Sequence, residues 1–292
     1  MFSISKLSQF SGIKAHTIRM WEQRYNALNP GRSEGNTRYY DNIQLRRLLN
    51  IVSLMDSEYK VSELCTMSDE KLSELTGNLT PELKTDERNE YFIAQLLTAS
   101  ITYDEAHFEK VFSQCLLKQG LKETYNQVIY PLLNRIGLMW TKDTIVPAQE
   151  HFISNLIRQK LFSALDSLPP AKTDAETWLL FLPENEHHDM GLLFANYLIR
   201  SAGKKVFYLG DNVPFSSLES AVKDTKAQNM LLLLVHYDFV KDTQDYIDQL
   251  SHNFSSKNIF IAGNQKLISK LSLGSKLHWL KSIEELNTLL LP

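Results

Sequence analysis

Trp178-Leu179-Leu180-Phe181-Leu182-Pro183-Glu184-Asn185-Glu186-His187-His188-Asp189-Met190-Gly191 passes from an unbroken apolar run into a charged loop and then into a helical pattern. Five apolar residues without polar alternation mark a strand covered on both faces, as in a parallel sheet flanked by helices. Four more such runs follow: Val206-Phe207-Tyr208-Leu209, Met230 to Val235, Ile259-Phe260-Ile261-Ala262 and Leu277-His278-Trp279-Leu280. Helical stretches separate them. Residues 174–292 are therefore expected to form an α/β domain, a doubly wound, flavodoxin-like five-stranded parallel sheet. In such sheets ligands bind beyond the carboxyl ends of the strands, so the loops after positions 182, 209, 235 and 262 are where chemistry is expected.

Upstream, from 86 to 168, apolar positions recur at three- and four-residue spacing, as in Tyr91, Ala94, Gln95, Leu97, Thr98 and Ile101. That is the period of amphipathic helices. Gly120, Pro131 and Pro147 punctuate the stretch, which predicts four helices in an antiparallel bundle. Ser68 to Lys84 is polar, carries Gly77 and Pro81, and reads as a linker. The remaining domain, residues 1–75, alternates short helical patterns with turns.

The 292 residues are 43% hydrophobic and 22% charged, which excludes a disordered, collagenous or purely coiled-coil protein. The longest apolar run, Met230 to Val235, is six residues. Crossing a bilayer takes ~20, so no membrane partner is expected. The N-terminus lacks a basic-then-apolar signal pattern, and Cys65 and Cys115 lack any Cys-x-x-Cys spacing. A cytoplasmic protein without a disulfide framework or thiolate metal site is expected. The net charge of −3 is uneven: residues 1–60 hold nine Lys or Arg against five Asp or Glu, leaving −7 for the rest. A basic end on an acidic body points to a polyanionic partner at the N-terminus.

Ser3 to Ile13 reads as a short helix with a turn at Gly12, and Thr17 to Tyr25 as a second helix with Thr17 as its early cap. Two short helices around a Gly turn are a helix-turn-helix candidate. Arg19 and Arg24 flank the second helix, within reach of phosphates or base edges if that helix enters a major groove. Pro30 to Tyr40 is a turn-rich hairpin carrying Arg32, Arg38 and Tyr40, a wing suited to the phosphate backbone. Trp21 is assigned to the core.

The spacing Ile18-Arg19-x-Trp21-Glu22-x-Arg24-Tyr25, then Leu28-x-Pro30-x-Arg32 and Asn36-x-Arg38-x-Tyr40, resembles the winged-helix signature of MerR-type transcriptional regulators. The resemblance implies a winged helix-turn-helix that binds a palindromic double-stranded DNA operator as a homo-oligomer, dimer or tetramer. Thr17, Arg19, Arg24, Tyr25, Arg32, Arg38 and Tyr40 would be its DNA-binding residues. Metal-sensing members carry cysteines after the dimerisation helix; this chain has none there, so metal sensing is not expected.

Glu186-x-His188-x-x-Gly191 lies between a strand end and a helix start. There an imidazole can donate to a transition metal while the acid holds the other ring nitrogen and fixes the tautomer. The motif resembles the corrinoid-binding loop of cobalamin-binding domains, in which the His is the lower axial ligand of cobalt. Leu209-Gly210-Asp211-Asn212-Val213-Pro214 is similar to that family's Leu-Gly-x-x-Val-Pro loop. Trp140, followed by Glu150-His151, is similar to the helical cap over the corrin in photosensory regulators of the CarH/LitR type. The resemblance implies adenosylcobalamin or methylcobalamin as cofactor and His188 as cobalt ligand. Trp140, Glu150, His151, Glu186, Gly191, Gly210 and Gly263 would surround it.

The chain departs from that pattern in three places. Leu234-Val235-His236 stands where a Ser-x-Leu/Thr motif accommodates the nucleotide tail, so a bulky Leu would narrow the channel. Ala262-Gly263 replaces Gly-Gly. Thr141 follows the capping Trp where the light sensor has a His, so bis-histidine photochemistry is not expected. His187 reads as a solvated neighbour of His188, and His236 as a residue facing the same crevice. His107, His252 and His278 read as structural or surface residues. Three functions stay open: a regulator sensing cobalamin; a MerR-type regulator whose degenerate corrinoid domain binds a partner protein or another ligand; and a corrinoid methyl-carrier subunit. The winged head counts against the third, and no catalytic activity is expected.

Overall fold

The computed structural model describes residues 2–32, 36–55, 58–78, 85–140, 145–235 and 240–291. The chain forms two compact units, Met1–Leu156 and Ile157–Pro292. The first begins with α1 (Ile4–Ser11), α2 (Ala15–Tyr25), β1 (Gly31–Arg32), β2 (Arg38–Tyr39), α3 (Asn42–Ser53), α4 (Val61–Thr66) and α5 (Asp69–Asn78). Ser3 caps α1 by accepting from the Lys6 amide at 3.3 Å, and Gly12 ends it in the left-handed region at φ 73°. The α2 helix starts at Ala15 with Lys14 at the cap position, so Thr17 lies inside the first turn and does not cap it. The wing is a two-stranded antiparallel ribbon in which Gly31 faces Tyr39 and Arg32 faces Arg38.

The expected linker is largely a helix. Ser68 accepts from the Lys71 amide at 3.2 Å, Leu72 is fully buried, and Arg47 of α3 binds Asp69 at 2.5 Å. A polar segment needs only one narrow apolar face to dock as α5 against α3. The bundle that follows has the four expected helices: α6 (Thr85–Thr102), α7 (Glu105–Thr124), α8 (Tyr130–Trp140) and α9 (Pro147–Asp166). Gly120 leaves helical geometry at φ 72°, ψ 170°, and a π-helical turn at Tyr125–Ile129 joins α7 to α8.

The second unit alternates β3 (Thr177–Pro183), α10 (Met190–Ser201), β4 (Lys205–Val213), α11 (Phe215–Thr225), β5 (Asn229–Leu234), α12 (Val240–Asn253), β6 (Asn258–Gly263), α13 (Gln265–Ile268), β7 (Leu277–Trp279) and α14 (Ile283–Leu289). The five strands pair in parallel in the order β4-β3-β5-β6-β7, as the apolar runs predict. The order reverses at β3, which places the switch point, and hence the crevice, at its carboxyl end. Leu218, Val222, Ile247, Leu250 and Leu267 of α11, α12 and α13 pack with Leu179, Phe181, Leu232, Leu234 and Ile261 on one face. Each such side chain contributes about 1.5–3 kcal/mol on full burial. The alternate residue Leu233 lies on the other face, against α10 at Gly191.

The stretch expected as a loop after the second strand belongs to β4. Register shifts set Phe181 opposite Gly210 and Pro183 opposite Val213, and Gly210 takes φ 83° at the bulge. Among the described residues no helix is long and apolar enough to cross a membrane.

Candidate functional site

In the head, Arg19, Arg24 and Arg32 are exposed, and Thr17 and Tyr25 are half-buried. Ser33, Glu34 and Gly35 at the wing tip lie outside the described residues. The Arg38 Nε is 3.4 Å from the buried Glu22 carboxylate, so this arginine ties the wing to α2. Tyr40 is not available to DNA: it is fully buried and its hydroxyl donates to Glu22 Oε1 at 2.5 Å. Its backbone also exchanges two hydrogen bonds with Phe2, at 2.7 and 2.9 Å. Burial, and then the Glu22 charge, push the phenol pKa upward, so Tyr40 stays a neutral donor. The sequence grouped Tyr40 with Arg38 on the wing's DNA-facing surface; the two lie two positions apart and do share a face, but that face meets the buried Glu22 carboxylate of α2. Tyr40→Phe is expected to cost ~1–3 kcal/mol, because it leaves a buried carboxylate oxygen short of a donor. Urea unfolding measures that loss, and an unchanged midpoint would refute it.

In the sheet unit, β3 ends in a tight turn. The Glu186 amide donates to the Pro183 carbonyl at 3.1 Å, and Asn185 takes the left-handed region at φ 64°. This turn buries the Glu186 carboxylate, 6% exposed, and leaves the His188 side chain 57% exposed at the crevice. Glu186 Oε1 accepts from the His187 amide at 3.1 Å, the His188 amide at 3.2 Å and His188 Nδ1 at 2.5 Å. Its Oε2 accepts from the Val235 amide at 2.9 Å, which joins the β3 loop to the end of β5. A buried carboxylate on Nδ1 fixes the proton there in the neutral ring and presents Nε2 as the metal-donor nitrogen. His187 turns aside to Asp211 of β4 at 2.7 Å. Asp189 is clamped by Arg158, through Nε at 3.3 Å and a terminal nitrogen at 2.7 Å. The Tyr208 hydroxyl on β4 is buried without a hydrogen-bond partner among the described residues, with Asp189 and Arg158 among its charged neighbours. An oriented imidazole and an unsatisfied buried hydroxyl fit a corrinoid with an axial cobalt ligand.

Leu234, at the end of β5, points into the core on the α11–α12 face. Its neighbour Leu233 lies against α10: a Cβ on Gly191 would stand 2.7 Å from Leu233 Cδ2. Gly263 approaches β5 backbone to backbone, since a Cβ there would lie 2.1 Å from the Leu234 carbonyl oxygen. His236 and Thr141 lie outside the described residues.

In the first unit, Trp140 ends α8 with 54% of its surface exposed. Glu150, in the first turn of α9, binds His151 Nδ1 at 2.7 Å and accepts from the Ser154 hydroxyl at 2.6 Å. Both cysteines are buried, which pushes the Cys65 thiol to about 11 and the Cys115 thiol to about 12. Among the described residues no three His, Cys, Asp or Glu are grouped to hold a bare metal ion.

Residues 2–71 match the MerR HTH family of regulatory proteins, and residues 92–163 match the B12 binding domain family. The chain is 27% identical to the HTH-type transcriptional repressor CarH of Myxococcus xanthus over 252 residues, covering 85% of this chain and 84% of that protein. It is 26% identical to the repressor CarA of the same organism over 239 residues, 80% of this chain and 76% of that one. In fold it is similar to the monomethylamine corrinoid protein of Methanosarcina barkeri, with TM-score 0.54 and 15% identity over 69% of this chain and 97% of that one. Both curated relatives are named as transcriptional repressors. The chain thus joins a MerR-type helix-turn-helix region to a B12-binding region, and over most of its length it is similar to the CarH and CarA repressors.

Proposed function

We propose that the protein is a DNA-binding transcriptional regulator whose C-terminal half senses a cobalamin, with His188 as the cobalt ligand. The Glu186–His188 pair at the sheet's switch point carries this reading, because nothing in a DNA-binding chain otherwise requires a buried acid orienting a half-exposed imidazole. Bound cobalamin would supply a cobalt able to take a nitrogen ligand; the chain's own part is to hold His188 Nε2 in place and keep the loop rigid through Val235 and Arg158. The DNA-facing residues are Arg19, Arg24 and Arg32, on a palindromic operator gripped by a dimer or a tetramer. The sequence resemblance gives Trp140, Glu150 and His151 to the same cofactor.

The test is loading of the purified full chain with adenosylcobalamin in the dark, followed by absorbance and operator titration. A corrin spectrum that persists through desalting supports the reading; a protein that never loads overturns it in favour of a domain that binds another ligand or a partner protein. Truncating Arg19 to Ala should weaken operator binding by ~1–3 kcal/mol if it meets a base. A phosphate contact would weaken it less, and equally on all sequences. Operator affinity unchanged at fixed salt in both Arg19→Ala and Arg24→Ala would remove α2 from the groove.

A further inference from the structure

The first unit contains a buried polar chain that neither DNA contact nor ligand binding uses. On α3 of the head, Asn50 and Ser53 meet Gln95 of α6, whose side-chain amide donates to Asn50 Oδ1 at 3.4 Å and to Ser53 Oγ at 3.2 Å. Gln95 is 1% exposed and Asn50 7%. The Gln95 carbonyl in turn faces His107 Nε2 of α7 at 2.8 Å. Burial holds the His107 pKa below its ordinary value, so the ring is neutral and donates its Nε2 proton to that carbonyl. At the rim, Arg46 of α3 binds Asp104 at 2.8 Å, and Asp104 caps α7 by accepting from the His107 amide at 3.0 Å. A head–bundle contact held by apolar side chains alone would slide or repack; one threaded by hydrogen bonds has a defined engaged arrangement and a cost for leaving it.

The same α6 continues to the start of α9. Ser100 donates to the Gln149 carbonyl at 2.8 Å, and the Gln149 side chain donates to the Ile101 carbonyl at 2.8 Å. Gln149 immediately precedes Glu150 and His151. One helix therefore touches the head at position 95 and, one and a half turns later, the segment carrying Glu150 and His151, two residues that the sequence resemblance gives to the cofactor. We propose that α6 is the coupling element of this protein: a polar latch of Arg46–Asp104 and Asn50–Gln95–His107 fixes the winged head on the bundle, and a ligand at the α9 end changes DNA binding by shifting that latch. The second half of this statement rests on the cobalamin-sensing reading; the first does not. Physical contiguity is a route for coupling, and only a perturbation of the route shows that it is used.

The experiment uses the full chain with Arg46→Ala, Asp104→Asn, their combination, and Gln95→Leu. Asn at 104 keeps the cap of α7 while removing the charge, and Arg46 has no place among the DNA-facing residues. Two measurements are made on each. The first is the distance distribution between spin labels on Ile43→Cys of the head and Leu117→Cys of the bundle, both exposed in the parent, with Cys65 and Cys115 buried. The second is operator affinity before and after adenosylcobalamin. A distribution that broadens in Gln95→Leu and in the double variant, with a ligand-induced affinity change at least about fivefold smaller than the parent's, supports the latch. Unchanged distributions overturn it whether or not the parent loads cobalamin. A parent that loads and changes its operator affinity, with variants that change it equally, leaves the cobalamin reading standing and overturns the coupling role. A parent that does not load overturns that reading and the ligand-coupling clause with it, and the distances still decide the latch.

Discussion

His188→Ala is expected to lower cobalamin affinity by more than about tenfold and to change the bound spectrum, with the loop itself left folded. The loop's geometry does not depend on the imidazole: the Glu186 carboxylate still accepts from the His187, residue-188 and Val235 amides, and Arg158 still clamps Asp189. What disappears is the one nitrogen that the buried acid aims. Glu186→Gln is the informative companion, because it keeps the ligand and disturbs its orientation. A side-chain amide has one acceptor oxygen where the carboxylate has two, so its NH2 must face either His188 Nδ1 or the Val235 N–H. Loss of such an orienting partner typically costs 10–100-fold in metal affinity. His187→Ala is expected to change little, since that ring is turned to Asp211. Equilibrium titration with dark spectra checks all three, and loading as strong with Ala at 188 as in the parent would end the axial-ligand assignment.

Much of this geometry was legible from residue order, for a physical reason. The five strands stand out because covering both faces of a parallel sheet leaves no polar position to interrupt them. The Glu186–His188 pair stands out because it falls in the loop where such sheets collect ligands. The misreadings have physical causes as well. The side-chain period of a strand is two, so neighbouring residues face opposite ways: Leu234 packs in the core while Leu233 lies against Gly191. Tyr40 and Arg38, two positions apart, were read together as an exposed surface, and the face they share closes on the buried Glu22 of α2, 18 positions before Tyr40. The α5 helix was hidden because only a narrow apolar stripe of a polar segment is needed to dock it. Gln95 and His107 were read as a spacing match and a structural or surface histidine. Gln95 reaches Asn50 across 45 positions of sequence and His107 across 12, and no local pattern announces either contact.

Gly263→Ala is expected to be the most damaging small substitution in the sheet unit. Gly263 takes φ 126°, a conformation that L residues rarely adopt, and that strain alone costs of order 1–3 kcal/mol. The added methyl would also overlap backbone: 2.1 Å from the Leu234 oxygen, 2.8 Å from its carbon and 2.9 Å from its nitrogen. Backbone cannot swing away as a side-chain tip can, and here it is held on both sides. Leu234 pairs with Gly263 across β5 and β6, and the Asn264 amide donates to the same Leu234 carbonyl at 2.7 Å. Relief must come from parting the two strands at their carboxyl ends. That would also move Val235, whose amide holds Glu186. Above about 3 kcal/mol of lost stability is therefore expected, with cobalamin loading lost in whatever fraction folds. Gly191→Ala is the control, because its methyl would meet only the end of the Leu233 side chain, which can turn. The sequence resemblance gave Gly263 to the cofactor; the contact with Leu234 requires a glycine there before any ligand arrives. A urea midpoint for Gly263→Ala equal to the parent's would show that the strand ends yield more easily than this packing allows.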